Sequence, residues 1–253
     1  MEPVSVAIVN LSRKLHDHAR LAKGLNAVQL QVSDHFAPHW NTDARLTLVH
    51  GKLDACGGAA IKRQDVADHW LVVLKDKPDD PRQAGRHGLT REGRPAAEIF
   101  VEAGGWTRTL SHELLEMLAN PFLDRAVLRR ESNAFYVQEV CDPVERGGYE
   151  IGGVEVANFV LPAWFSPDAG RRYDQAGRLP AAFNLAPHGS IGVFDGSLAV
   201  MVNKQGGNLD AARADKVTRR DSKLRTHSDE IWSDEIWSDE IWSDEIWSDE
   251  IWS

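Results

Sequence analysis

Hydrophobic positions along this chain switch between short continuous runs, helical spacing and long polar interruptions. The run from Val4 to Val9 is short and apolar, as in a buried strand. From Ser12 to Val32, the set Leu15, Leu21, Leu25, Val28 and Val32 recurs at near-helical spacing, which predicts a helix with Ser12 as its N-cap. Strand-like runs follow at Arg45 to Val49, His69 to Lys75 and Glu98 to Glu102, separated by stretches rich in Pro, Gly and Asp such as DKPDDPRQAGRHG. A second helix of about three turns is expected from Thr107 to Phe122, preceded by Gly104-Gly105 and closed by Pro121. Beyond it come a strand from Ala134 to Val140 and a hairpin marked by Gly147, Gly148, Gly152 and Gly153. An irregular segment rich in Pro and aromatics then runs from Phe159 to Phe194. This order of elements predicts an α+β domain.

The pattern breaks at Ser228, where five tandem copies of SDEIW begin and run to a closing Ser253. A period of five keeps Ile and Trp on one side of neither a helix nor a strand, so the repeats predict a solvated, disordered acidic tail. A Trp-studded docking peptide is the alternative. Residues 206–227 are polar and mixed in charge and read as a linker, which leaves residues 1–205 as the folded domain.

The tail changes the meaning of the charge. The chain of 253 residues has a formal net charge of −9. Ten of its 38 acidic side chains and none of its 29 basic ones fall in the repeats, so the body is close to neutral. A neutral body with scattered Lys and Arg argues against nucleic-acid binding. No run approaches the roughly 20 apolar residues of a membrane span, and no basic start with an apolar core marks a signal peptide. Cys56 and Cys141 belong to no CxxC pair, which fits a reducing compartment and a cytoplasmic protein with free thiols.

Candidate chemistry sits on the second helix. At 100° per residue, Leu110, Leu114, Met117 and Leu118 share one stripe, while His112, Glu113, Glu116 and Asn120 share another sector. His112 and Glu116 stand one turn apart, in the HExxH spacing with the second histidine replaced by a carboxylate. By zincin logic His112 and Glu116 are metal ligands and Glu113 is the general base acting on a water. A carboxylate is an acceptable zinc ligand but admits Mn, Fe or Mg more readily than imidazole does, so the metal is left open, with zinc first by the zincin arrangement and Mn or Fe next. A third ligand is needed, and FYVQEVCDPVE supplies Glu139 or Asp142, with Glu139 slightly favoured. Their separation of three puts them on opposite faces of a regular strand unless the chain turns at Asp142-Pro143. The plainer reading of the same helix is an amphipathic one whose polar face is simply solvated.

Other positions carry less. Tyr149 is read as packing, His87 in AGRHG as an exposed loop histidine, and Cys141 as a small apolar residue. Gly57-Gly58, Gly104-Gly105 and Gly206-Gly207 lie in no nucleotide-binding frame.

The stretches SHELLEMLANP (111–121), EVCDPVE (139–145), the Tyr149 to Val154 hairpin and NFVLPAWF (158–165) together resemble a family of uncharacterised phage and bacterial proteins with a zincin-like metallopeptidase fold. HFAPHW (35–40) and RLTLVH (45–50) look similar as well, so the resemblance spans roughly residues 4–195. It implies a single zincin-like α+β domain with a mixed sheet and an active-site helix. It also implies a metal-dependent hydrolase acting on a peptide or protein, with His112, Glu113, Glu116, Glu139 and Asp142 at the matching positions. Asn120 stands where the family has Asp, and Gly85-Arg86-His87-Gly88 replaces its GYHD loop. The alternative function is a non-catalytic, phage-related binding or assembly protein with a structural metal or a hydrogen-bonded cluster.

Overall fold

The protein is described here by a computed structural model, covering residues 2–49, 52–53, 59–60, 66–78, 81, 83–90, 92–166, 172–194, 199–203 and 207–208. Its first half runs β1 (Val4–Asn10), α1 (His18–Leu30), a π-helical stretch (Gln31–Phe36), α2 (Ala37–Trp40), β2 (Ala44–Val49), β3 (Lys52–Leu53), β4 (Ala59–Ala60), β5 (Trp70–Lys75), β6 (Gly85–Leu89) and β7 (Pro95–Phe100). Then come α3 (Trp106–Ala119), β8 (Ala126–Arg129), β9 (Ala134–Val137), β10 (Gly148–Ile151), β11 (Val154–Ala157), β12 (Asn184–Leu185), β13 (Ser190–Phe194), β14 (Ala199–Asn203) and β15 (Gly207–Asn208). The mixed α+β class expected from the sequence is the one observed.

The main sheet has the order β2-β1-β5-β7-β6. Its first four strands are parallel, and β6 closes one edge antiparallel to β7. Alternate side chains of the central strands face opposite ways. Val6, Ile8, Val72, Leu74, Ala97 and Ile99 join Leu21, Leu25 and Val28 of α1 and Leu110, Leu114, Met117 and Leu118 of α3 in the larger core. Ala7, Val9, Leu71, Val73 and Ala96 build a smaller core on the other face. Burial on both faces is why these strands read as continuous apolar runs rather than alternating ones.

A second sheet, ordered β14-β13-β9-β8, is antiparallel, and β10 and β11 form a separate hairpin. Gly152 and Gly153 turn that hairpin with φ of 57° and 72°, a conformation that favours glycine at both positions. The hairpin is tied to α3 at Ser111, whose buried Oγ accepts from the Ala157 N–H at 2.6 Å and donates to the Arg108 carbonyl at 3.0 Å.

Several boundaries differ from the sequence expectation. The first helix begins at His18 rather than Ser12, because Asp17 accepts from the Ala19 and Arg20 amides at 2.9 and 3.1 Å. Ser12 instead donates its hydroxyl to Asp76 at 2.5 Å and accepts from the Lys14 amide, fastening the loop after β1 to the end of β5. The strand expected from Glu98 to Glu102 starts earlier, at Pro95, and ends at Phe100, while the strand expected to reach Val140 ends at Val137. Cys56, the SDEIW repeats, and all of residues 206–227 except Gly207 and Asn208 lie outside the described residues. Gly207 and Asn208 pair with β12. No helix among the described residues is long and apolar enough to cross a membrane.

Candidate metal centre

Helix α3 buries more than its apolar stripe. Leu110, Leu114, Met117 and Leu118 enter the core as the spacing requires, but the polar sector is covered as well. Glu113 is 8% exposed, Glu116 2% and Asn120 0%, so the reading of this sector as a solvated face is corrected. Two segments cover it: β6, with His87, and the chain that leaves β9, with Glu139 and Asp142.

The chain leaving β9 settles the problem of odd spacing. A single 3-10 turn over Asp142–Val144 follows Cys141, with Pro143 in its first turn. The bend allows Glu139 and Asp142 both to face Glu116's neighbourhood, which a straight strand would forbid. Glu116 is the pivot. Its Oε1 accepts from the backbone amides of Cys141 and Asp142, each at 3.1 Å. Its Oε2 lies 3.2 Å from His112 Nε2 and 3.6 Å from His87 Nδ1.

Two groups of potential ligands share that carboxylate: His112, Glu116 and Asp142, and His87, Glu116 and Glu139. In each group every residue offers a ligand atom within 4.8 Å of the others. His112 Nε2 lies 3.4 Å from Asp142 Oδ1, and His87 Nε2 lies 3.4 Å from Glu139 Oε2. A tetrahedral ion with bonds of about 2.0–2.1 Å holds its ligand atoms about 3.4 Å apart, so these separations fit a metal. The donor set of imidazole and carboxylate suits zinc, manganese or iron. Two further signs agree with this fit: His87 Nε2 and Glu139 Oε2 are both buried and make no hydrogen bond.

His87 was expected in an exposed loop. It is instead on β6, largely buried, with Nδ1 3.0 Å from Glu113 Oε2. Gly85 makes this possible. A Cβ there would come within 2.6 Å of Thr109 Cγ2 and 2.9 Å of the Glu113 side chain, so only glycine lets β6 lie this close to α3. Two residues on, in strand alternation, His87 faces the same helix. Arg86 points the other way, to Glu98 on β7, which also accepts from Lys75. A period-two reading of Gly85, His87 and Leu89 could have revealed the strand, but its glycines obscure that signal.

Electrostatics follow from this crowding. Burial pushes the Glu116 carboxyl up to about 7, against the pull of His112 and with help from Asp142 and Glu139. Burial alone would lower His87, yet Glu139, Glu113 and Glu116 hold it well above the usual imidazole range. His112 is raised in the same way, with burial opposed by Glu116 and Asp142. Without a cation, the cluster holds its protons tightly.

The remaining candidates have other partners. Burial pushes the Cys141 thiol well up, and the side chain packs in the core as expected. Tyr149 packs against the π-helical stretch, its hydroxyl 2.9 Å from His35 Nδ1 and 3.2 Å from Gln31 Nε2. Asn120 Oδ1 accepts from the Arg125 amide at 2.9 Å, so its amide side chain closes the loop after α3. No protein-family model matches the chain, and no curated protein or solved structure shows significant similarity to it.

Proposed function

We propose that the chain is a metal-dependent hydrolase of peptidase type, built on a zincin-like arrangement. His112, Glu116 and Asp142 hold a divalent cation, and Glu113 is the general base. The observation that carries this reading is the convergence of His112 Nε2, Glu116 Oε2 and Asp142 Oδ1, with Glu113 the next residue on the same helix. The family resemblance read from the SHELLEMLANP and EVCDPVE stretches implies the same reading.

A zinc, manganese or iron ion would supply Lewis-acid polarisation of a substrate carbonyl and lower the pKa of a water. The other tasks fall to the chain itself. Glu113 takes the proton of the attacking water, and its bond to His87 aims the carboxylate. The Cys141 and Asp142 amides fix Oε1 of Glu116 and leave Oε2 for the ion, the outer-shell support that ligating carboxylates need. Strand β6 ends the described sheet beside these residues, the position at which an extended peptide backbone would add as a further strand.

One observation favours a second reading. Glu113 is already engaged by His87, as in a closed hydrogen-bonded cluster that serves binding or assembly rather than turnover. Elemental analysis separates the two, run on the chain and on a His112→Ala, Glu116→Ala double variant. Metal in the parent and none in the double variant supports the site. Glu113→Gln should then abolish peptide hydrolysis and spare metal content; undiminished hydrolysis would remove Glu113 from the mechanism, and absence of metal even after reconstitution would favour the closed cluster.

A further inference from the structure

We infer that this site binds two divalent cations rather than one, the second held by His87, Glu139 and the Glu116 carboxylate that it shares with the first. The inference rests on the metal reading above and adds Glu139, which that reading leaves idle, and the second ring nitrogen of His87.

A carboxylate only accepts, so the 3.0 Å contact between His87 Nδ1 and Glu113 Oε2 places a proton on Nδ1. In the neutral ring, Nε2 then carries a lone pair. That atom is buried, makes no hydrogen bond, and faces Glu139 Oε2 at 3.4 Å, which is also buried and also makes none. Two acceptors facing each other out of water repel, so a positive charge belongs between them, either a second ring proton on Nε2 or a bound cation. A cation satisfies both at once. The pattern is that of ligating histidines elsewhere, in which the nitrogen away from the metal donates to a carboxylate and thereby fixes the tautomer.

Glu116 joins the two halves. Oε2 lies 3.2 Å from His112 Nε2 and 3.6 Å from Nδ1 of His87, the ring nitrogen beside the one that faces Glu139, and the other oxygen is held by two backbone amides. A carboxylate so fixed, between two triads that each close within 4.8 Å, is placed to be shared by a pair of ions. Two-metal sites of hydrolases set their ions about 3.5–4 Å apart, and a shared carboxylate is compatible with that spacing. The competing occupant of the His87–Glu139 gap is a second proton, which would make His87 an imidazolium.

The test is metal stoichiometry on the full chain. The protein is stripped with chelator and titrated with Mn2+ or Zn2+ at neutral pH, alongside His87→Ala, Glu139→Gln and His112→Ala, each checked for folding by its melting curve. Glu139→Gln keeps the side-chain shape and serves if His87→Ala fails to fold. The acidic repeats are common to all variants, so a difference between them reports the cluster. About two tight equivalents are expected in the parent, and about one in each of His87→Ala and Glu139→Gln. The Mn2+-loaded parent should show a spin-coupled electron paramagnetic resonance signal, and the His87→Ala protein an uncoupled six-line one.

A single equivalent in the parent overturns the second ion. If His112→Ala abolishes that equivalent while His87→Ala and Glu139→Gln keep it, a proton fills the His87–Glu139 gap and the one-metal reading stands. Two equivalents that survive both His87→Ala and Glu139→Gln also overturn the inference. No tight equivalent at all removes both readings together.

Discussion

His87 on the edge strand and Glu113 on helix α3 are joined at 3.0 Å across 26 residues of chain. That one contact brings the antiparallel edge strand of the main sheet onto the helix that carries the candidate ligands. It also decides whether Glu113 is a free base or a committed partner. The consequences can be measured separately.

Gly85→Ala should destabilise the fold by about 1–3 kcal/mol, the usual cost of forcing extra volume into a packed contact. The new Cβ would meet Thr109 Cγ2 at 2.6 Å, and Thr109 is itself buried on α3 with packed neighbours around it. Denaturant midpoints provide the check, together with metal affinity, since β6 would carry His87 away from α3. An unchanged midpoint would mean that β6 lies further from the helix than described.

Ser111→Ala removes the acceptor of a buried backbone N–H at Ala157. The orphaned amide should cost about 1–3 kcal/mol. Metal content should stay at the parent's level, because Ser111, although next to His112 in the chain, turns to the hairpin on a different face of the helix from His112 and Glu116. Chemical denaturation with elemental analysis tests both halves, and loss of metal with no loss of stability would contradict the assignment of Ser111 to the hairpin contact.

Glu98 is 1% exposed and stands between Lys75 at 2.6 Å and Arg86 at 2.5 Å. Truncating it in Glu98→Ala removes the buried carboxylate that Lys75 and Arg86 share, a loss of about 3–5 kcal/mol for a buried pair broken on one side. Thermal melting of the variant measures it. A shift no larger than that of an exposed surface substitution would show that water reaches this pair freely.

The pH dependence of the metal-free protein has a definite sign. His87 and His112 are raised above their unfolded values, so the stability they contribute is full below about 6.5 and is lost as pH rises through their folded values. Glu116 is raised too, to about 7, and its contribution is lost over the window between its ordinary carboxylate value and that point. All three act in one direction. In chelator, the denaturant midpoint should fall as pH climbs from about 5.5 to 8.5, while metal affinity should rise over the same range because binding displaces these protons. A midpoint that climbs through neutrality would contradict the crowding of carboxylates around both rings.

Much of this was legible in the chain. The HExxE spacing, the apolar stripe beside it and the buried parallel strands are local, and local periodicity reports them directly: VSVAIV, WLVVLK and LSHELLEML each reveal their element within a few residues. The pairing of EVCDPVE with the helix was also accessible, because a carboxylate among apolar neighbours demands a partner. Tertiary structure alone decided the rest. Periodicity shows where apolar side chains lie but not what covers the opposite face, so the sector of Glu113 and Glu116 read as wet although β6 and the Asp142 turn bury it. His87 could not be placed because its position depends on sheet order and on the missing Cβ of Gly85, neither of which leaves a periodic trace. Asp142 joins His112, and Glu139 joins His87, because a proline turn reverses the alternation that sequence spacing assumes. Contacts made across the sheet edge are set by which surfaces can approach, and that is a property of the folded chain.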